Sequence, residues 1–330
     1  MTDSLRHRCE LLVGNKAILT KEFKFDTAYA LSLCSSLYAS RKAIADPVRI
    51  KAKKALIKKD TNIFSSFRSV YHILSLSTLL SLENECDAVW RRTLEASEAL
   101  RKRVPSSSYL PIAAYMLATL SKKDVGVTAE SAYSLFCSIK KLFPYHRCGD
   151  DIVYAALLAV SGADEAILFK SVAECTKYLS RSISKQSLKQ ASLIFAIAGG
   201  DIGLYCRRFL RLRELLANER IAVDKNDRYT LSQIFTLSVL SVPEDALADS
   251  VIEVYEHLKS QKGFGFTFGR SQRLVYSIIQ VYGEYIPESA NSKDPHVQND
   301  VNAVINSVAA SVATVISCEI TYAIAAVAAI

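Results

Sequence analysis

The chain has few of the residues that interrupt helices and lacks the common catalytic signatures. Its 330 residues include 11 glycines, 7 prolines, 5 histidines, 2 methionines and 1 tryptophan. Neither G-x-S-x-G nor H-E-x-x-H occurs, no two of the eight cysteines form a C-x-x-C pair, and the Gly-Lys-Ser/Thr of a phosphate-binding loop is missing. These absences leave no sequence-level case for a serine hydrolase of the nucleophile-elbow type, a zincin, a dithiol oxidoreductase or a P-loop enzyme. No metal, cofactor or catalytic residue is assigned, and the balance leans away from an enzyme. Met1 to Glu10 lacks an apolar core, so no secretory leader is expected. The scattered cysteines, such as Cys137 and Cys206, read as small buried hydrophobes in a reducing compartment, which makes the cytoplasm the expected address.

Charge of one sign is only mildly in excess, since 41 Lys and Arg against 33 Asp and Glu leave a net +8. That is no strong nucleic-acid signal. The densest basic runs, Arg49 to Lys59 and Arg207 to Arg213, read as solvated helix faces. Half the residues are hydrophobic, which implies extensive burial between elements and argues against disorder.

Strand patterns are nearly absent, while apolar residues recur at three- and four-residue steps almost everywhere, so the chain is expected to be all-α. An apolar run with a polar or turn exit recurs with ends at Leu82, Leu120, Val160, Ala198, Leu240 and Tyr282. By subtraction the intervals are 38, 40, 38, 42 and 42 residues, a period that points to stacked helical hairpins. More amphipathic helices are expected over 84–102, 128–142, 164–180, 201–217 and 244–259, giving an apolar inner helix followed by a half-exposed outer one. Asp164, Asp201 and Asp245 suit the starts of the outer helices.

The expected fold is a right-handed α-solenoid-like stack of about six helical hairpins of the HEAT/TPR kind, plus a C-terminal Ala/Val-rich helix. Residues 1–60 would form capping helices, 61–283 the array and 284–300 a linker. Residues 301–330, with nine Ala, six Val and five Ile, would dock on the array or on a second copy, with membrane insertion or tail disorder as alternatives.

One stretch, "QKGFGFTFGRSQR" at residues 261–273, gathers three glycines and three phenylalanines. It fits no dinucleotide fingerprint, because Phe268 stands where the third glycine belongs and a helix precedes it. It reads as a structural connector: Gly263 ends a helix in the left-handed conformation, and Phe264, Phe266 and Phe268 alternate with Gly265, Thr267 and Gly269 to present their rings on one side. Arg270 and Arg273 open the next helix, where the dipole disfavours cations unless an acid is near, so they are candidate anion ligands or partners of neighbouring glutamates. In "YHRCGDD", His146, Cys148 and Asp150 carry metal-capable atoms, but without a second pair no zinc site is assigned. Asp150 is expected to cap the helix starting near Ile152.

Four stretches, "FSSFR" (64–68), "SSYLPIAAYMLA" (107–118), "GDDIVYAALLAVSG" (149–162) and "LKSQKGFGFTFGRSQRLVYSIIQ" (258–280), together resemble an uncharacterised bacterial family, a domain of unknown function numbered four thousand and three. The resemblance spans nearly the whole chain and implies no activity. The leading functional expectation is therefore a protein-interaction scaffold, drawn from the groove a solenoid presents. Alternatives are a small-ligand or anion site, or an enzyme, near 263–273, and a peripheral membrane protein held by 301–330 and the basic helix around 49–59.

Overall fold

The computed structural model describes residues 1–69, 72–265 and 268–285. The expectations for Phe266, for residues 286–300 of the linker and for 301–330 lie outside the described residues. Among the described residues there are fourteen α-helices, one short 3-10 turn at Ser66–Arg68, and no strand.

The helices alternate between two layers. The outer layer holds α1 (Asp3–Glu22), α3 (Pro47–Asp60), α5 (Cys86–Arg101), α7 (Val125–Leu142), α9 (Glu165–Leu179), α11 (Ile202–Asn218) and α13 (Glu244–Ser260). The inner layer holds α2 (Ala28–Ser40), α4 (Ile73–Leu82), α6 (Leu110–Leu120), α8 (Asp151–Ser161), α10 (Lys185–Ala198), α12 (Arg228–Ser238) and α14 (Arg270–Tyr285). Hairpin stacking is thus as the periodicity implies, with seven pairs. The period extends one copy towards the N-terminus: α2 ends at Ser40, which is 42 residues before Leu82, the end of α4. The leading segment, expected as a cap, supplies this first pair.

The pairing differs from expectation in one respect. The helices that pack together along their lengths are each outer helix and the inner helix that follows it, as in α5 with α6 and α7 with α8. The turn from an inner helix to the next outer one is short but opens sharply; α8 and α9 diverge by 117° across Gly162–Asp164.

Inner helices are apolar nearly all round, as buried helices must be. Their buried hydroxyls are neutralised locally: Ser32, Ser77, Ser192, Ser232 and Ser277 each donate to the carbonyl four residues earlier. Small, self-satisfied side chains let inner helices approach closely without leaving polar atoms unpaired. Four of the seven outer helices begin with aspartate caps, since Asp46, Asp124, Asp164 and Asp201 accept from the backbone N–H three residues on. The second basic run is used in stitching. Arg208 donates to the carbonyls of Ser238 and Val242, and Arg213 to those of Ser182 and Val223.

The stack curves until it meets itself. The last inner helix α14 touches α1 and α2, and α13 also touches α1, so the seven hairpins form a closed ring. Between α4 and α6 the ring is bridged by α5, by the Tyr115 hydroxyl donating to Glu83 at 2.6 Å, and by the His72 and Tyr109 rings at 5.0 Å. At the seam, Thr2 and Ser4 donate to Glu284, and the Met1 amine pairs with Glu253. Arg8 lies buried against Gly283, where an added Cβ would overlap its guanidinium, so a larger residue there would have to displace it.

The glycine-phenylalanine connector is part of this seam. Gly263 and Gly269 adopt φ of 85° and 82°, the left-handed region that glycine supplies without strain. Phe264 and Phe268 are buried, and Lys16 of α1 reaches across 247 residues to donate to the Gly263 carbonyl at 2.6 Å. Its ammonium sits 4.0 Å and 3.9 Å from the two ring centroids, the geometry in which a ring's electron-rich face attracts a cation.

Burial pushes the Lys16 ammonium down from 10.5 to about 8. Below pH 8 folded and unfolded chains both hold the proton; between 8 and 10.5 only the unfolded chain does, so stability rises with pH across that window. Denaturant unfolding is expected to show the difference between wild type and Lys16→Met flat below pH 8. Above it, the difference should move in favour of the wild type by on the order of 2 to 3 kcal/mol. A difference independent of pH contradicts the buried ammonium.

Candidate functional site at the mouth of the ring

The two ends of the ring are unlike. At the lower end inner helices finish and outer helices start, through short turns such as Glu83–Glu85, Gly162–Asp164 and Gly199–Asp201. At the upper end the connections are longer and run through Thr61–His72, Lys102–Tyr109, Phe143–Asp150, Glu219–Asp227 and Gln261–Gly269. The four stretches that carry the family resemblance all enter an inner helix from this upper end.

Here the first turns of α8, α10 and α12 bring together a polar cluster beneath a partly open sulfur. Cys148 is half-buried and its Sγ receives Gln186 Nε2 at 3.1 Å and Arg228 Nη1 at 3.3 Å. Arg228 also donates to the Tyr229 hydroxyl at 2.6 Å. Below them Asp151 and Lys189, each 2% exposed, form an ion pair, and Lys189 donates further to the His146 carbonyl at 2.6 Å. Asp151 also accepts from the Cys148 N–H at 3.2 Å, which fixes the loop over the helix start. Gly149 lets this loop approach Tyr109, because a Cβ there would lie 3.0 Å from the ring. Ser107 holds it through a bond to the Gly149 carbonyl at 3.1 Å.

Asp150 stands at the N-cap position as expected but makes no capping bond. It is 2% exposed, and its Oδ1 has no hydrogen-bond partner. A buried carboxyl oxygen without a donor is costly, and native chains keep few of them. Burial pushes the Asp150 carboxyl up, nearby Arg228 opposes the shift, and Asp151 adds to it. Burial also raises the Tyr154 hydroxyl, with Asp150 contributing. For Arg228, burial works against its charge, yet Tyr229, Asp150 and Cys148 together hold it above the ordinary guanidinium value.

Of the metal-capable trio in "YHRCGDD", the structure joins Cys148 and Asp150 and adds Asp151, all with ligand atoms within 4.8 Å of one another. His146 enters this arrangement through its backbone carbonyl. Lys189 already compensates Asp151 and Arg228 faces Cys148 and Asp150, so two cations occupy the places a divalent ion would need.

The residues singled out near the connector lie elsewhere on the same end. Arg273 is 4% exposed and donates to the Phe264 carbonyl at 2.8 Å, the Gly265 carbonyl at 2.7 Å and the Tyr255 hydroxyl at 3.2 Å. Its partners are carbonyls and a phenol of its own hairpin. Arg270 is exposed at the start of α14.

A family description, "Protein of unknown function (DUF4003)", matches residues 16–311. The chain belongs to this family. No curated protein and no solved structure matches it. In this DUF4003 chain the sequence pattern alone did not point to Gln186, Lys189 or Arg228; the signal that relates them to the loop is the repeat period itself. Asp151 and Lys189 are 38 positions apart, Cys148 and Gln186 38, Gln190 and Ser232 42, and Cys148 and Arg228 80, one or two periods in each case.

The folded state holds the Asp150 proton to higher pH than the unfolded chain, whose value is near 3.8, so this residue's contribution to stability falls as pH rises from that value through the folded one. Asp150→Asn should therefore flatten the acid-side pH dependence of thermal unfolding. It should also stabilise the chain at neutral pH, where the unfolded carboxyl is ionised. An unchanged pH profile would show the carboxyl to be solvated.

Proposed function

We propose that this DUF4003 chain takes a small polar ligand with a negatively charged group at the upper mouth of the ring. Arg228 is the anion partner, Cys148 the reactive atom nearest the ligand, and Asp150 a proton donor beneath it. The reading rests on one observation above all: side chains from two other hairpins, Gln186 and Arg228, converge on the single sulfur of Cys148. A half-open thiol facing a guanidinium differs from Cys9, Cys34, Cys86, Cys175 and Cys206, all of which are buried. The uncapped Asp150 supports it further, because a retained cost at a buried carboxyl is a common mark of a working site.

An open solenoid would offer the long concave groove on which a scaffold role depends. Contact of α14 with α1 and α2 turns the inner helices onto one another, and the polar side chains at their starts face the upper end in its place. Concave polar sites at the converging starts of elements suit small molecules.

Alkylation of the native protein by iodoacetate and by neutral iodoacetamide, read peptide by peptide, tests the proposal. Cys148 should react faster with the anionic reagent than half-buried Cys137 does, relative to the neutral one, and Arg228→Gln should remove that preference. Equal preferences at Cys137 and Cys148 in the wild type would contradict an anion-directed site.

A further inference from the structure

The loops of the upper end carry a second feature that the mouth does not use. Phe25, Phe64 and Tyr145 are 103%, 92% and 92% exposed, and Ile63 is 71% exposed. They lie on the connections leading into α2, α4 and α8, all at one end of the ring. Aromatic rings held almost wholly in water at loop tips gain nothing from the fold itself. Such rings are enriched where a protein meets the boundary between lipid headgroups and acyl chains.

The charge around them has one dominant sign. Along the arc from the first hairpin to the fourth, the upper end carries Lys21 and Lys24 beside Phe25, Lys58 and Lys59 beside Ile63 and Phe64, and Lys140, Lys141 and Arg147 beside Tyr145. Between the second and fourth tips stand exposed Arg101, Lys102 and Arg103. The acids on the same arc are fewer and mostly engaged: Glu22 with Lys51, Asp60 with the Trp90 indole, Glu98 with Lys102, Glu130 with Arg103, and Asp26 half-buried. Each outer helix ends here and contributes about half a negative charge from its carbonyls, which one lysine more than balances. Lys58 with Lys59, and Lys140 with Lys141, leave a positive surplus. The lower end is mixed, with Asp46, Glu85, Asp87, Asp124, Asp164 and Asp201 at the outer-helix starts beside exposed Arg41, Lys42, Arg49, Lys122 and Lys123.

We infer that the upper end docks on an anionic lipid bilayer, with Phe25, Phe64 and Tyr145 as interfacial anchors and the flanking lysines and arginines facing acidic headgroups. Polar donors for a headgroup are at hand. Ile63 and Phe64 adjoin a cavity of about 380 Å³ between α3 and α5 whose lining includes Thr61, Asn62, Ser65, Arg101 and Lys102. The combination decides between partners. A basic surface alone would also suit nucleic acid, but single rings at the tips of separate loops form no continuous stacking platform for successive bases. Their places on three separate connections that enter inner helices from the same end suit an extended surface. Basic residues near an anionic surface and buried aromatic rings each add to binding, and the two together make a reversible attachment. This inference is independent of the ligand site and would place the mouth against the membrane face.

Sedimentation of the full chain with vesicles tests it, using phosphatidylcholine alone and phosphatidylcholine mixed with phosphatidylglycerol. The expected result is binding to the mixed vesicles only, weakened by raising salt from about 0.05 M to 0.5 M. The triple variant Phe25→Ser, Phe64→Ser, Tyr145→Ser should bind about tenfold more weakly. Because the replaced rings are exposed, its thermal melt should match the wild type. No preference for anionic vesicles, or full binding by the triple variant, would overturn the inference, the latter pointing to attachment through another segment. Retention of a single-stranded oligonucleotide without vesicle binding would overturn it in favour of nucleic acid.

Discussion

Everything in this molecule depends on a seam between helices that are nearly the whole sequence apart. Lys16 reaches the Gly263 carbonyl, Arg8 occupies the space that Gly283 leaves, and Gln280 comes within 3.5 Å of Ser36. Without these contacts seven hairpins would form an open superhelix with two exposed apolar ends. With them, the first and last hairpins bury each other, and no separate cap is required. The cost is visible in the buried cations, since both Lys16 and Arg8 have their pKa lowered by burial. The phenylalanine rings and carbonyls of the connector offset part of that cost for Lys16. Closure is therefore a balance, in which aromatic faces and carbonyls substitute for water around a charge.

Closure also organises the surface. Helices that alternate in direction around a ring place all outer-helix starts at one end and all outer-helix finishes at the other. Capping chemistry then puts aspartates such as Asp46, Asp124, Asp164 and Asp201 at the outer-helix starts, and lysines such as Lys58, Lys59, Lys140 and Lys141 at outer-helix finishes, because each is favoured by the backbone groups it meets.

The helices themselves were plain in the sequence. The outer helices expected over 128–142, 164–180 and 244–259 are found as Val125–Leu142, Glu165–Leu179 and Glu244–Ser260. Asp164 and Asp201 cap as their positions suggested. Gly263 does take the left-handed conformation assigned to it. Ring closure was not legible, because it sums small rotations over seven hairpins and is completed by contacts more than 240 residues apart, which no local pattern encodes. The two leading helices were expected as a cap; in the ring they form its first hairpin, and the hydroxyls of Ser32, Ser35 and Ser36 in the middle of α2 are buried. The cluster around Cys148 was half visible. "YHRCGDD" drew attention as a loop, but Lys189 and Arg228 sit in unremarked stretches and meet it only because one repeat stacks on the next.

The measurement that bears most directly on this account is the distance between the first and last outer helices. Spin labels carried by unnatural amino acids in place of His7 on α1 and Glu256 on α13, both exposed, leave the native cysteines untouched. Packed neighbouring helices stand roughly 8 to 10 Å apart, so pulsed dipolar spectroscopy should give a narrow distribution centred below about 25 Å. A distribution centred near 50 Å or beyond, the span of an open row of seven hairpins at about 10 Å each, would contradict the closed ring.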